Sequence, residues 1–233
     1  MAIDFDAIRR KVAQLSGNGR RGSAFWRPEE GEHTVRIVPF TDNDGQPFKE
    51  RWFYYNIGNN PGLLAPYQFG NPDPIQELIT KLRDDGSKES YELAKKLYPK
   101  MRSYAPVVVR GEEDKGVRLW SFGKTVYQSL LNIMLDEDYG DITDPKNGRD
   151  ITLEFKTAEE TGASFPSTSI RVKPNQTPIT EDSNILERIK NTQKEITDIY
   201  QELSYEDLTS VLNEWLNPDE ESTEKETSTG TQG

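Results

Sequence analysis

The sequence of 233 residues contains no cysteine and only one histidine, His33. The absence of cysteine excludes disulfide bonds, thiolate zinc sites and cysteine nucleophiles, and it is typical of proteins from a reducing compartment. A zinc site or a Ser-His mechanism would depend on His33 alone, so we expect neither. The chain also lacks the roughly eighteen consecutive apolar residues of a membrane-spanning helix. Its N-terminus lacks the apolar core of a signal peptide, so we expect no membrane contact and no secretion.

Charge is unevenly distributed along the sequence. The net charge of the whole chain is −11, which by itself argues against nucleic acid. However, it is +3 over residues 1–124, −4 over 125–180 and −10 over 181–233. The body of the chain is therefore near neutral or mildly basic, and the last part is acidic. This asymmetry leaves nucleic-acid binding open and suggests a separate use for the C-terminal region.

Apolar periodicity predicts short strands interrupted by helices. Alternating residues predict strands at 33–40, 48–57, 104–110, 117–122, 150–156 and 168–173, the third and fourth forming a hairpin. Helical spacing predicts helices at 4–15, 74–84, 88–98 and 123–135, one long helix through 185–203, and a last helix beginning at Ser204. After Pro218 almost no apolar residue remains, so we expect a disordered acidic tail. The order predicts an α+β body, a small β-barrel with helical insertions, followed by C-terminal helices.

Two motifs suggest other functions at first inspection. Residues 17–22 match the G-x-G-x-x-G pattern of dinucleotide-binding loops, but a predicted helix precedes them and no helix follows. A flexible basic linker is the better interpretation. Five carboxylates crowd residues 136–144, which leaves open a divalent-cation site and a metal-assisted hydrolase. Their spacing does not fit an EF-hand loop, and a solvated charged loop explains them more simply.

Aromatic residues interleaved with cations are the most informative pattern. They recur in the segments 51–55, 98–104 and 118–124. A groove that binds an unpaired nucleic-acid strand needs both, because rings stack on exposed bases and cations contact phosphates. The alternative, that the rings are ordinary core residues beside cations extending to water, stays open. The candidates from the two strand segments are Arg51, Phe53, Tyr55, Arg118, Trp120 and Phe122, and we add Tyr67 from the turn-rich loop 58–84.

Four segments carry a resemblance to a known family. They are residues 15–19 (LSGNG), 35–39 (VRIVP), 104–109 (YAPVVV) and 120–124 (WSFGK). In order and spacing, together with the acidic tail, they resemble the single-stranded-DNA-binding, helix-destabilising proteins of T-even-type bacteriophages. The resemblance implies an OB-fold-based core with a positively charged cleft lined by aromatic rings. It also implies three parts: a basic arm at 1–22, a DNA-binding core at 23–180, and an acidic helical region and tail at 181–233.

The resemblance also implies roles for individual residues. Those that fall at or near DNA-facing positions of the family are Arg36, Lys100, Arg102, Tyr104, Trp120 and Lys124. Arg9, Arg10 and Lys11 would form the arm through which neighbouring molecules associate cooperatively on DNA. The acidic region would contact phage replication and recombination proteins. As a tethered polyanion it can also occupy a basic groove in place of nucleic acid.

One departure from the family concerns metal. Its best-known member has a zinc site of one histidine and three cysteines, whereas residues 73–76 (DPIQ) stand here where a Cys-Pro-x-Cys element would. We therefore expect no metal and no cofactor. The loop 58–84 must be held by packing instead, and the apolar residues available for this are Leu63, Leu64, Tyr67, Phe69, Ile75, Leu78 and Leu82.

Together these observations predict a non-enzymatic protein that coats single-stranded DNA cooperatively and without sequence preference. The resemblance places it in phage DNA replication, recombination and repair, in the cytoplasm of an infected bacterial host. Two other classes remain open. One is an acidic interaction or assembly protein that works through residues 183–216, and the other is the hydrolase built on the carboxylates at 136–144.

Overall fold

The computed structural model describes residues 24–58, 60 and 62–217. Its strands are β1 Phe25–Trp26, β2 Gly31–Ile37, β3 Lys49–Tyr54, β4 Leu63–Leu64, β5 Lys100–Val109, β6 Arg118–Phe122, β7 Arg149–Lys156 and β8 Ser167–Gln176. Its α-helices are α1 Pro74–Asp85, α2 Lys88–Leu97, α3 Lys124–Leu135, α4 Ala158–Thr161, α5 Ser183–Asn191, α6 Ile196–Ile199 and α7 Tyr205–Leu216. Short 3-10 helices lie at Pro66–Phe69 and Glu113–Lys115. The predicted α+β class is confirmed.

The chain divides into two compact units, each assembled from separate stretches of sequence. Among the described residues, the first unit contains 24–50 and 102–199, and the second contains 51–58, 60, 62–101 and 200–217. The arm at 1–22 and the tail from residue 218 lie outside the described residues, so the three-part division stays a prediction.

An open sheet organises the first unit. Its strand order is β1-β6-β5-β2-β7-β8. β1 runs parallel to β6, and the other neighbours along this order are antiparallel. Because β2 has a partner on each side, Val35 lies opposite Val109 on β5 and Ile151 on β7. The α+β class holds, but the OB-fold barrel is not confirmed by this open order.

The sheet and helix α3 form the core of the first unit. α3 contributes Val126 and Leu130, which lie four residues apart and therefore on one face of the helix. They pack with Ile37, Val107 and Leu153 from the sheet. β5 is buried from Ser103 to Val109 and β2 from Val35 to Ile37. Since successive residues of a strand point to opposite faces, the middle of the sheet is covered on both faces.

A hairpin and three helices form the second unit. β3 pairs with β4 in an antiparallel register. Ile75 and Ile79 of α1 share a core with Leu208 and Leu212 of α7, and Leu97 of α2 joins them. Each of the three helices begins at a side-chain cap, as polar residues with short side chains accept hydrogen bonds from first-turn amides. The predicted start of the last helix is confirmed, because Ser204 is the N-cap of α7.

The single long helix predicted over 185–203 is wrong. α5 ends at Asn191, and α6 begins only at Ile196. The interruption makes tertiary contacts that a continuous helix would not allow. Gln193 donates from Nε2 to the carbonyl of Pro39 at 2.9 Å and accepts from the amide of Thr41 at 3.0 Å. The remaining predicted strands and helices among the described residues are confirmed, with ends shifted by a few residues.

Candidate nucleic-acid interface

Arg36 lies in a buried ionic network of the first unit. Its side chain is fully buried, its Nε donates to Asp150 at 2.9 Å, and its Nη2 donates to the carbonyl and the hydroxyl of Thr177 at 2.6 Å. Arg110 donates to both oxygens of the same carboxylate, at 3.0 and 2.9 Å. Burial lowers the pKa of Arg36, and the Asp150 charge opposes that shift. Since its guanidinium is enclosed by protein, we remove Arg36 from the expected DNA contacts.

Four of the rings expected to stack on bases lie in the interior. Trp120 and Phe122 belong to the core of the first unit, with ring centres 4.6 Å apart, and Tyr104 is 2% exposed. Phe53 of the second unit is 1% exposed and lies 4.8 Å from the ring of Tyr200. A ring whose faces are covered by packed side chains offers no surface to a base. The ordinary-core interpretation therefore fits these four rings.

Two cations of the first unit flank the residue that precedes helix α3. The pairing of Ser103 on β5 with Phe122 on β6 places Arg102 beside Gly123. The Nη1 atom of Arg102 lies 3.9 Å from the point that a Cβ atom on Gly123 would occupy. Arg102 is half-buried and Lys124 is exposed. No side chain caps the first turn of α3, so its leading amides and the positive end of the helix dipole are available to an anion. This surface has the chemistry to contact phosphate.

Arg118 is held by a neighbouring carboxylate. Its Nη2 donates to Oε2 of Glu112, and Nζ of Lys115 lies 2.9 Å from Oε1 of Glu112. Hydrogen bonds from Lys115 and Arg118 keep the pKa of Glu112 below its ordinary range. The side chain of Arg118 is 13% exposed, so it can reach a phosphate only when the Glu112 contact opens.

The second unit presents its own set of rings and cations. Tyr55 and Tyr67 are half-buried, and Lys100 is exposed. The guanidinium of Arg51 lies 5.7 Å from the centre of the Phe69 ring, which is a cation–π distance. Phe69 is 38% exposed, in contrast to the packing role that the sequence predicts for it. It is the last residue of the 3-10 helix Pro66–Phe69, in a segment with no alternation, so its aromatic character is the one sequence signal that marks it.

Asp73 organises the loop that carries Tyr67. Its Oδ1 accepts from the amides of Ile75 and Gln76 at 3.0 and 3.1 Å. Its Oδ2 accepts from the hydroxyl of Tyr54 at 2.8 Å and from the amide of Tyr67 at 3.3 Å. Burial first, and then Asp73, raise the pKa of both tyrosines. One buried carboxylate thus joins the strand, the loop and the first turn of α1.

Apolar packing also holds this loop, as predicted. The predicted residues that pack into the core of the second unit are Leu63, Tyr67, Ile75, Leu78 and Leu82, and Leu64 is buried as well. Phe69 is the exception. The sequence contains a signal for this role of Asp73. An aspartate directly before a proline at a helix start, as in Asp73-Pro74, is a typical N-cap.

The comparison with protein families identifies the class of the chain. A family model described as "gp32 DNA binding protein like" matches residues 29–216. This chain belongs to the gp32-like family of DNA-binding proteins. The resemblance to the single-stranded-DNA-binding proteins of T-even-type bacteriophages is thereby confirmed at the level of the family. Among curated proteins, none matches the chain.

The gp32-like match includes residues of both units and every half-exposed ring and cation described above. It begins after the predicted self-association arm at 1–22. Arg9, Arg10 and Lys11 lie outside the described residues, so their role stays a prediction.

The carboxylates of 136–144 stabilise turns in the gp32-like region. Asp141 accepts from the amide and hydroxyl of Thr143 at 2.8 and 2.7 Å, and Asp144 accepts from the amide of Lys146 at 2.8 Å. Within residues 24–58, 60 and 62–217, no three His, Cys, Asp or Glu side chains are placed to hold a metal ion. The hydrolase alternative therefore gains no support from this loop. In the same described ranges, no helix combines the length and apolarity needed to cross a membrane.

Proposed function

We propose that this gp32-like protein binds and protects single-stranded DNA without sequence preference, and that it acts by binding rather than by catalysis. The family match over residues 29–216 carries the proposal. Exposed and half-exposed cations in both units, and accessible rings in the second, support it. The contacts that we propose are Arg51, Tyr55, Tyr67, Phe69, Lys100, Arg102, Arg118 and Lys124.

Two physical terms would supply the affinity. Each phosphate neutralised on a single strand contributes about −0.7 to the slope of log affinity against log salt. Each base stacked on an aromatic ring contributes about 1–3 kcal/mol. Neither term depends strongly on base identity, because every base has a flat face and every phosphate carries the same charge. Binding is therefore salt-sensitive and tolerant of sequence.

The test compares oligo(dT), a mixed-sequence single strand and a duplex by filter binding over a range of salt. We expect both single strands to bind with similar affinity, the duplex to bind more weakly, and salt to weaken all binding. Lys124→Gln should weaken single-strand binding and flatten the salt dependence. Lys146→Gln is the matched control, because Lys146 is also exposed in the first unit but lies outside the proposed contacts. If oligo(dT) fails to bind at low salt, the proposal is wrong.

The finer parts of the proposal concern architecture, cooperativity, partners and cellular role. The core would be OB-fold-like, and the arm with Arg9, Arg10 and Lys11 would link neighbouring molecules on DNA. The acidic C-terminal region would contact phage replication and recombination proteins in the cytoplasm of the infected bacterial host. Deleting residues 1–15 should abolish cooperativity while leaving single-site affinity nearly intact, and deleting 218–233 should strengthen DNA binding. Unchanged cooperativity would contradict the role of the arm, and unchanged affinity would contradict competition by the tail.

A further inference from the structure

A cleft of about 190 Å³ opens in the first unit beside the start of β6. The residues that line it are Ala24, Pro106, Lys115, Val117, Arg118, Leu119, Thr192, Gln193 and Lys194. The cleft is smaller than the roughly 300–1,000 Å³ of sites for drug-sized ligands, so it suits one small chemical group. Three of its lining residues are cationic and none is acidic. The lining therefore selects an anion.

Hydrogen bonds hold one wall of the cleft in place. The hydroxyl of Thr192 accepts from the amide of Val117 at 3.3 Å. Gln193 is fixed by its two contacts with the backbone of Pro39 and Thr41. The segment 192–194 is thus attached to the strand that carries Arg118 and to the turn after β2. A site whose walls are already fixed loses little entropy when it takes a ligand.

The donors at the cleft are not fully used. Nε of Arg118 is buried and has no hydrogen-bond partner among the described residues. Its Nη2 and the ammonium group of Lys115 share one carboxylate, Glu112. Since hydrogen bonds from Lys115 and Arg118 keep the pKa of Glu112 low, this carboxylate is ionised at neutral pH. Lys194 is exposed, and no ion pair of Lys194 occurs among the described residues.

We propose that this cleft binds a phosphodiester group of single-stranded DNA through Lys115, Arg118 and Lys194, and that Glu112 holds two of these cations until DNA displaces it. The inference rests on the proposed function and adds to it a phosphate site with its own competitor. A phosphodiester fits better than a neutral group because of the three cations, and the apolar walls formed by Pro106, Val117 and Leu119 can contact the adjoining sugar. Glu112 then lowers the affinity of the protein for DNA.

The first test compares Glu112→Gln with Asp114→Asn in oligo(dT) binding at low salt. Both substitutions remove one negative charge from the same turn. Glu112 pairs with two of the lining cations, whereas Asp114 makes no ion pair within the described part of the chain. We expect Glu112→Gln to raise affinity about three- to tenfold, the amount expected when two partly exposed ion pairs no longer compete. Asp114→Asn should change affinity less than about 1.5-fold, because its charge acts only through screened solvent.

The second test removes the cations. Lys115→Gln and Lys194→Gln should each weaken oligo(dT) binding and reduce the salt slope by about 0.7, as expected for one lost phosphate contact. Lys146→Gln again serves as the control. In the Lys115→Gln background the gain from Glu112→Gln should shrink, because one of the two cations that it releases is absent. A full gain in that background would contradict the shared-carboxylate mechanism.

The outcomes separate this inference from the proposed function. If the protein binds oligo(dT) but Glu112→Gln and Asp114→Asn behave alike, the cleft is not a phosphate site and the proposed function stands. If Glu112→Gln instead strengthens binding of a peptide with the sequence of residues 218–233 while oligo(dT) binding is unchanged, the cleft takes carboxylates and the inference is wrong. If no variant binds oligo(dT), both fail.

Discussion

Replacing Asp73 by alanine should destabilise the second unit by about 1.5–5 kcal/mol. The loss has two parts. Removing the N-cap of α1 costs about 0.5–2 kcal/mol, because the amides of Ile75 and Gln76 lose their acceptor. Leaving the buried hydroxyl of Tyr54 without a partner costs a further 1–3 kcal/mol or so, since that group stays out of water.

Three variants separate these parts. Asp73→Asn keeps an oxygen at the cap and a polar neighbour for Tyr54, so it should cost less than about 1.5 kcal/mol. Ser87→Ala removes the cap of α2, a single hydrogen bond to the amide of Ser90, and should cost about 1 kcal/mol. Asp73→Ala combined with Tyr54→Phe should be less destabilising than the sum of the single changes, because the stranded hydroxyl is gone.

The measurement is urea unfolding followed by far-ultraviolet circular dichroism, together with hydrogen exchange of the Ile75 and Gln76 amides. Faster exchange at these two amides in Asp73→Ala would locate the loss at the start of α1. If Asp73→Ala costs no more than Ser87→Ala, or if its effect adds fully to that of Tyr54→Phe, then Asp73 is an ordinary helix cap. It would not then be the residue that organises the loop.

Three further predictions address the site and its surroundings. Arg36→Gln should lower the free energy of unfolding by about 3–5 kcal/mol, because it breaks a buried ion pair. The folded fraction should bind oligo(dT) as the parent protein does in filter assays. Weakened binding would show that Arg36 is a DNA contact. Phe69→Ala should weaken oligo(dT) binding about fivefold or more, as expected for one lost stacking contact. The control Tyr91→Ala removes an exposed ring from α2 and should leave binding unchanged. Equal effects would contradict a specific role for Phe69. Burial and Asp73 raise the pKa of Tyr54, so the folded state keeps a phenol proton that the unfolded state loses above about pH 10. The free energy of unfolding should therefore fall by about 1.4 kcal/mol per pH unit as pH rises further. Urea unfolding between pH 9 and 11 (roughly) should show this decline, and Tyr54→Phe should flatten it; an unchanged decline would assign it to other groups.

Local patterns predicted the strands and helices well, because alternation and helical spacing report burial directly. The hairpin of β5 and β6 and the helix α3 follow from such patterns. Local patterns gave a wrong prediction where contacts with residues distant in the sequence determine the structure. The break after Asn191 is stabilised by contacts of Gln193 with Pro39 and Thr41, more than 150 residues earlier in the chain, and no window of sequence contains both sides.

The interface residues were harder to predict than the fold. Alternation of cations and rings indicates two faces of a strand, but it does not tell which face the rest of the protein covers. Trp120 and Phe122 pack inward because helix α3 and a neighbouring strand cover them. The apolar residues around Arg36 indicate that this part of the strand is buried. Its ion-pair partner could not be predicted, because Asp150 lies 114 residues away in the sequence. The short-range signals for Lys100, Arg102 and Lys124 agree with their accessible positions.

The interleaved construction of the two units constrains how the protein can be shortened. A cut at residue 181, where the acidic charge begins, would remove Ile189 from a cluster that it forms with Val108 and Val117 in the first unit. It would also remove Leu208 and Leu212 from the core of the second unit. Both units would then expose apolar surface. The resulting aggregation could be misread as a loss of DNA binding. A deletion that starts after Asn217 spares every helix of the described chain. The acidic charge of the C-terminal region therefore does not mark a removable appendage, because its described helices complete both cores.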